Sequence, residues 1–133
     1  MSEPKPYLSK SKLIAAWQCQ KKLYLDKHQP DLADNSDDRQ AIFDVGHRVG
    51  KIAQDKYGTT DSVEIPYNRD SSVMLKDTDE LLAGGINCPV FEATFEYEGV
   101  LIRADVMIPE GDAWHVIEVK SGASVKDVNK LDA

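Results

Sequence analysis

From Ser9 the chain carries apolar residues at Leu13, Ile14, Trp17 and Tyr24, at spacings of three and four, and so reads as a helix with Ser9 or Ser11 as its cap. The segment QPDLADNSDDRQ is polar and turn-rich, and reads as a loop. A second helix is expected over about 38–57, with Ile42, Val45, Val49, Ile52 and Ala53 on one side and Gly58 as its stop. Val63 to Ile65 suggests a short strand. A third helix is expected over 71–83, with Met74, Leu75, Thr78, Leu81 and Leu82 inward and Gly84-Gly85 ending it. Beyond Pro89 the period changes from helical to alternating, VFEATFEYEGVLIRADVMIPEGDAWHVIEVKSG, and two turn signals cut this run into three strands. SVKDVNKLDA reads as the first turns of a last helix. The expected fold class is α/β: a three-stranded antiparallel meander within a mixed sheet flanked by helices, with residues 1–8 as a flexible leader and 9–133 as one domain.

The two turns fix a register that can be tested. Gly111-Asp112 has the glycine-first order of a type II′ hairpin, and Glu98-Gly99 is the other candidate two-residue loop. If both loops hold, Asp105 lies opposite Glu118 on one side and opposite Glu92 on the other. Arg103 then faces Lys120. Directly opposed side chains sit about 4.5–5.5 Å apart at Cβ, where like charges repel. A divalent cation would relieve that repulsion, since Mg²⁺ takes carboxylate oxygens and leaves positions open for water and phosphate. The competing reading is a solvated sheet face on which Arg103 and Lys120 neutralise the acids. Register decides between them, because a slip of one residue sends a carboxylate to the wrong face.

Charge sharpens this only locally. The net charge of −7 argues against nonspecific nucleic-acid binding over the whole surface. Residues 1–28, however, carry six lysines against two acids, a net +4, and the remainder carries ten Lys or Arg against 21 acids, a net −11. The basic stretch suits either a phosphate backbone or the solvated face of a helix. Cys19 and Cys88 are too few for a disulfide framework or a four-thiolate metal site. The opening MSEPKPYLSKSK lacks the apolar centre of a secretion signal, and no apolar run reaches the roughly 18 residues of a membrane span. A cytoplasmic protein without a membrane partner is the expectation. No Gly-rich phosphate loop, nucleophile elbow or zinc spacing offers a rival chemistry.

Asp105, followed thirteen residues later by Glu118-Val119-Lys120, a serine and a helical segment, resembles the D…ExK core of the PD-(D/E)XK nuclease superfamily. LSKSKLIAAWQCQKKLYL and FDVGHRVGKIAQDKYG are similar to the first two helices of RecB-like nucleases, including the CRISPR-associated exonucleases. The order of motifs matches the N-terminal part of a bacterial RecB-like family of unknown function. The resemblance implies a restriction-endonuclease-like core and a Mg²⁺- or Mn²⁺-dependent deoxyribonuclease. Asp105, Glu118 and the Val119 carbonyl would bind the metal, and Lys120 would orient water and stabilise charge on the phosphate. Lys120, Lys126 and Lys130 would contact DNA, assisted by Lys10, Lys12, Lys21 and Lys22 on the first helix, whose alternative reading is a solvated face.

The sequence also departs from that pattern. The family's metal-binding histidine lies four residues after a glycine, and counting from Gly46 reaches Gly50; His47 stands nearby, and Glu92 is the alternative ligand. His28 and His115 read as incidental. The CRISPR-associated members hold an iron–sulfur cluster through four cysteines, of which only Cys19 has a counterpart, so no cluster is expected. The family's Gln-x-x-x-Tyr motif after the ExK strand has no counterpart before Ala133. The chain therefore reads as an N-terminal fragment or a shortened copy, truncated in its fold, and a noncatalytic nucleic-acid-binding or assembly module is the alternative function.

Overall fold

The computed structural model describes residues 8–33, 37–122, 124–127 and 130. Most of the proposed leader and part of the final helix lie outside the described residues. Leu8, placed in the leader, instead opens the first strand.

Among the described residues five strands form one curled, mixed sheet: β1 (Leu8–Ser9), β2 (Val63–Glu64), β3 (Val90–Tyr97), β4 (Val100–Glu110) and β5 (Ala113–Ile117). β3 and β4 pair antiparallel, as do β4 and β5; β2 joins β3 and β1 joins β4 in parallel. Both expected hairpins are present in the expected register, with Tyr97 opposite Val100 and Glu110 opposite Ala113. Glu98 and Gly99 have φ of 50° and 82°, the two positive values of a type I′ loop, and Gly111 has the single positive φ, 62°, of a type II′ loop.

β3 runs along one edge of β4, which leaves the other edge to β1 and β5. β1 pairs only at Val100 and Leu101, and β5 only from Val106 to Glu110. The residues between, Ile102 to Ala104 and Asp105, have no strand partner on that edge among the described residues. The chain leaves β1 into a helix beside this gap and leaves β5 at its other end.

Among the described residues four α-helices accompany the sheet. The expected first helix is two: α1 (Lys10–Gln18) and α2 (Gln20–His28). Cys19 breaks it with an extended backbone, φ −164° and ψ 113°. Its N–H closes α1 on the Ala15 carbonyl at 2.8 Å, and its own carbonyl accepts from Lys22 at 3.0 Å to start α2. No glycine or proline marks this position. α3 (Asp37–Tyr57) and α4 (Ser71–Ala83) agree with expectation, the latter capped by Asp70, which accepts from the Ser72 N–H at 3.0 Å. Among the described residues no helix is long and apolar enough to cross a membrane.

The core is divided by the sheet. Val90, Ala93, Ala104 and Met107 pack with Ile65 and with Met74 of α4. Phe91 and Val106 pack with Ala53 of α3. Adjacent residues on a strand face opposite sides, so the two clusters occupy opposite faces. Val90 and Ala93 share a face although three residues apart, as do Ala104 and Met107. Each strand therefore inverts its alternation once, β3 around Glu92 and β4 around Asp105. Glu92 carries the matching irregularity, a φ of 61°. Because both strands invert at the same level, pairing resumes in unchanged register beyond it, with Phe91 opposite Val106.

Candidate functional site

The two inverted positions face each other in the register count, and together they form the centre of the candidate site. Glu92 and Asp105 line a cleft of about 430 Å³ between α3 and the sheet. Glu64, Phe91, Val106 and Val119 contribute to the sheet side; Gly46, His47, Gly50 and Gln54 contribute from α3. Gly46 and Gly50, one turn apart, leave open space where side chains would stand. His47 thus shares the cleft with two of the expected acids, although the helical spacing argued against it.

Asp105 is the hub. Its Oδ2 accepts the Val119 N–H at 2.7 Å, which clasps the segment leaving β5 onto β4. That segment is a correction to the sequence reading: β5 ends at Ile117, so Glu118, Val119 and Lys120 lie beyond the ladder rather than in it. The alternation still places Glu118 and Lys120 together, with Lys120 Nζ 2.8 Å from Glu118 Oε1. The other carboxylate oxygen, Oε2, receives Lys10 Nζ at 3.0 Å. Lys10 is the residue whose place was missed. It was grouped with the surface lysines of the first helix, whereas the short β1 seats it beside the open stretch of β4.

Glu92 is paired too. Arg103 Nη2 lies 3.2 Å from Glu92 Oε2, donates to the Ile65 carbonyl at 3.3 Å, and stacks 5.5 Å above the Tyr67 ring. The neutralising partners of the solvated-face reading, Arg103 and Lys120, are therefore both engaged. The row of three carboxylates is only partly assembled: Glu92 and Asp105 share the cleft, and Glu118 stands beside it, held by two lysines.

Burial pushes both cleft carboxyls above their ordinary range. For Asp105, desolvation dominates and the Glu118 charge adds to it, against the Val119 N–H and the Lys120 and Lys10 ammoniums. For Glu92, desolvation again leads, opposed by Arg103 and reinforced by Asp105, Glu64 and Glu118. A raised folded-state value means that the folded chain holds more protons than the unfolded chain across that window, so stability falls as pH rises through it. Asp105→Asn should accordingly raise the stability of the fold at pH 7, with the gain disappearing below the unfolded carboxyl value near 3.8. Thermal melts at pH 3.5 and 7 check this; an equal or lower midpoint for the variant at pH 7 would contradict it.

The donors are oxygens, the type that Mg²⁺ and Mn²⁺ take. In type they fit such an ion. As arranged, no three His, Cys, Asp or Glu side chains among the described residues converge as a ready chelate. Glu92, Asp105 and Glu118 are each held by a cation or N–H of the chain itself.

The remaining expected residues lie elsewhere. Lys126 and Lys130 are exposed on the segment after the site, and Lys130 Nζ pairs with Asp127 at 3.2 Å. Lys21 and Lys22 line a separate hollow with Cys19, Leu25 and Leu32 that shares no residue with the cleft. Cys19 and Cys88 are free thiols. His115 is exposed, 3.7 Å from Glu110. Comparison with protein-family models, curated proteins and solved structures finds no match for the chain.

Proposed function

We propose that the chain is a metal-dependent nuclease core of the PD-(D/E)XK type, with a restriction-endonuclease-like arrangement, that hydrolyses DNA phosphodiester bonds. The observation that carries this reading is the Asp105–Val119 hydrogen bond, which ties the aspartate of β4 to the Glu-x-Lys segment that follows β5. Asp105 and Glu118, with the Val119 carbonyl, would hold Mg²⁺ or Mn²⁺, and Glu92 and His47 are within the same cleft. When bound, the ion supplies Lewis-acid polarisation of a phosphoryl oxygen. Lys120 supplies a positive donor at the rim, able to orient water and to stabilise charge on the phosphate. Glu118 sets the direction of that ammonium, and Phe91 and Val106 close the floor of the cleft against water.

The engaged acids favour a second reading, a noncatalytic nucleic-acid-binding module in which Lys10, Lys120 and Arg103 replace the ion. One pair of measurements separates them: calorimetric Mn²⁺ titration of the wild type and Asp105→Asn, and incubation with single- and double-stranded DNA with Mn²⁺ or chelator. Binding that is lost in the variant, with cleavage that needs the ion, is the expected result. DNA binding without cleavage would select the module, and absence of Mn²⁺ binding in the wild type would overturn the nuclease reading.

A further inference from the structure

Lys10 has a different setting from the other basic residues of the first two helices. Its side chain is 24% exposed, and it reaches a carboxylate that is itself only 16% exposed. Lys12, Lys21 and Lys22 are exposed. Its backbone is fixed by the preceding residue, Ser9, which pairs with Leu101 on β4 and caps α1 through the Lys12 N–H. The ammonium thus enters the site from a strand end rather than from a flexible segment. With Lys120 on Oε1 and Lys10 on Oε2, Glu118 carries two cations and has each carboxylate oxygen engaged.

The same two ammoniums also act on the neighbouring Asp105 charge. The oxygen that Lys10 engages is one that a divalent ion held by Glu118 would need. We propose that Lys10 is a positioning residue of the site, an internal cation that holds Glu118 and competes with a divalent metal ion for the same carboxylate. This rests on the nuclease-type reading above. It gives the site two states. In one, Lys10 and Lys120 share Glu118; in the other, a bound ion would be held by that carboxylate and Lys10 would be released from it. Lys120 keeps its partner in both.

Removing the competitor should therefore strengthen ion binding. The test is calorimetric titration of Mn²⁺ into the wild type, Lys10→Met and Lys10→Arg, with far-UV circular dichroism to check that helix content is retained. Methionine keeps the length and apolar stem while removing the charge, so binding about tenfold tighter than wild type is expected. Arginine restores the cation and should return the affinity to near that of wild type. A role limited to pinning α1 against the sheet would loosen the helix without tightening the ion. Equal affinity in all three chains, or weaker binding in Lys10→Met, would overturn this inference while leaving the nuclease-type reading intact. No Mn²⁺ binding in any chain, Lys10→Met included, would overturn both.

Discussion

Lys120→Ala is expected to reduce Mn²⁺-dependent DNA cleavage by about 10²–10³-fold, the usual effect of removing one preorganised charge donor, while Mn²⁺ still binds. Lys120 sits at the rim with a third of its side chain exposed, 2.8 Å from Glu118. Its loss leaves both cleft carboxyls, the Asp105–Val119 hydrogen bond and the Lys10–Glu118 pair in place. Ion binding should therefore persist at close to the wild-type affinity. Lys120→Arg should recover only part of the rate, because a planar guanidinium cannot present the compact point charge of an ammonium. Cleavage time courses beside calorimetry on the same preparations check the split. Wild-type cleavage from Lys120→Ala would mean that this lysine serves only as a counter-ion for Glu118, and the Glu-x-Lys segment would then lose its catalytic interpretation.

The parts of the fold set by local chemistry were legible in advance. α4 is bracketed by Asp70 and Gly84-Gly85, and the meander is set by two loops whose glycines require positive φ. Register followed from those loops, so the opposition of Glu92 to Asp105 could be read from residue numbers alone. What could not be read was where the strands invert. Glu92 takes a left-handed backbone without being glycine, and nothing in VFEATFEY marks it. The same holds for Cys19, which splits a helix that has no breaker in its sequence. The place of Lys10 beside Glu118 was hidden for another reason. Its partner is 108 positions away, and the parallel pairing of a two-residue strand that brings them together carries almost no periodic signal. Arg103 was named as a neutralising cation, but its preference for Glu92 depends on the Ile65 carbonyl and the Tyr67 ring, both supplied by the loop after β2.

Phe91→Ala is expected to cost about 3–5 kcal/mol, as for other large-to-small changes at buried aromatic positions, and to do so mainly by releasing α3. Phe91 is 4% exposed and packs with Ala53 and Val106, the three buried residues of the α3 side of the sheet. Tyr57, Ile108, Ile117 and Val119 add only partly buried contact. Farther along α3, Ile42 is 69% exposed and Ile52 63%, so little else binds the helix to the sheet. Removing the ring opens a hole where buried residues join α3 to the sheet, beneath Glu92 and Asp105. The larger cluster, built on Met74 and Val90 across the sheet, is left untouched. Chemical denaturation should show the loss of stability, and hydrogen exchange should show it concentrated in the amides of α3, with those of α4 slowest to follow. Since a domain of this size has a total stability of about 5–15 kcal/mol, the variant should remain folded around α4 while His47 and the cleft lose their fixed position. Mn²⁺ affinity should then fall with α3 protection. If α3 exchanged as slowly as in the wild type, the helix would be held by contacts other than Phe91, and the cleft would not depend on this anchor.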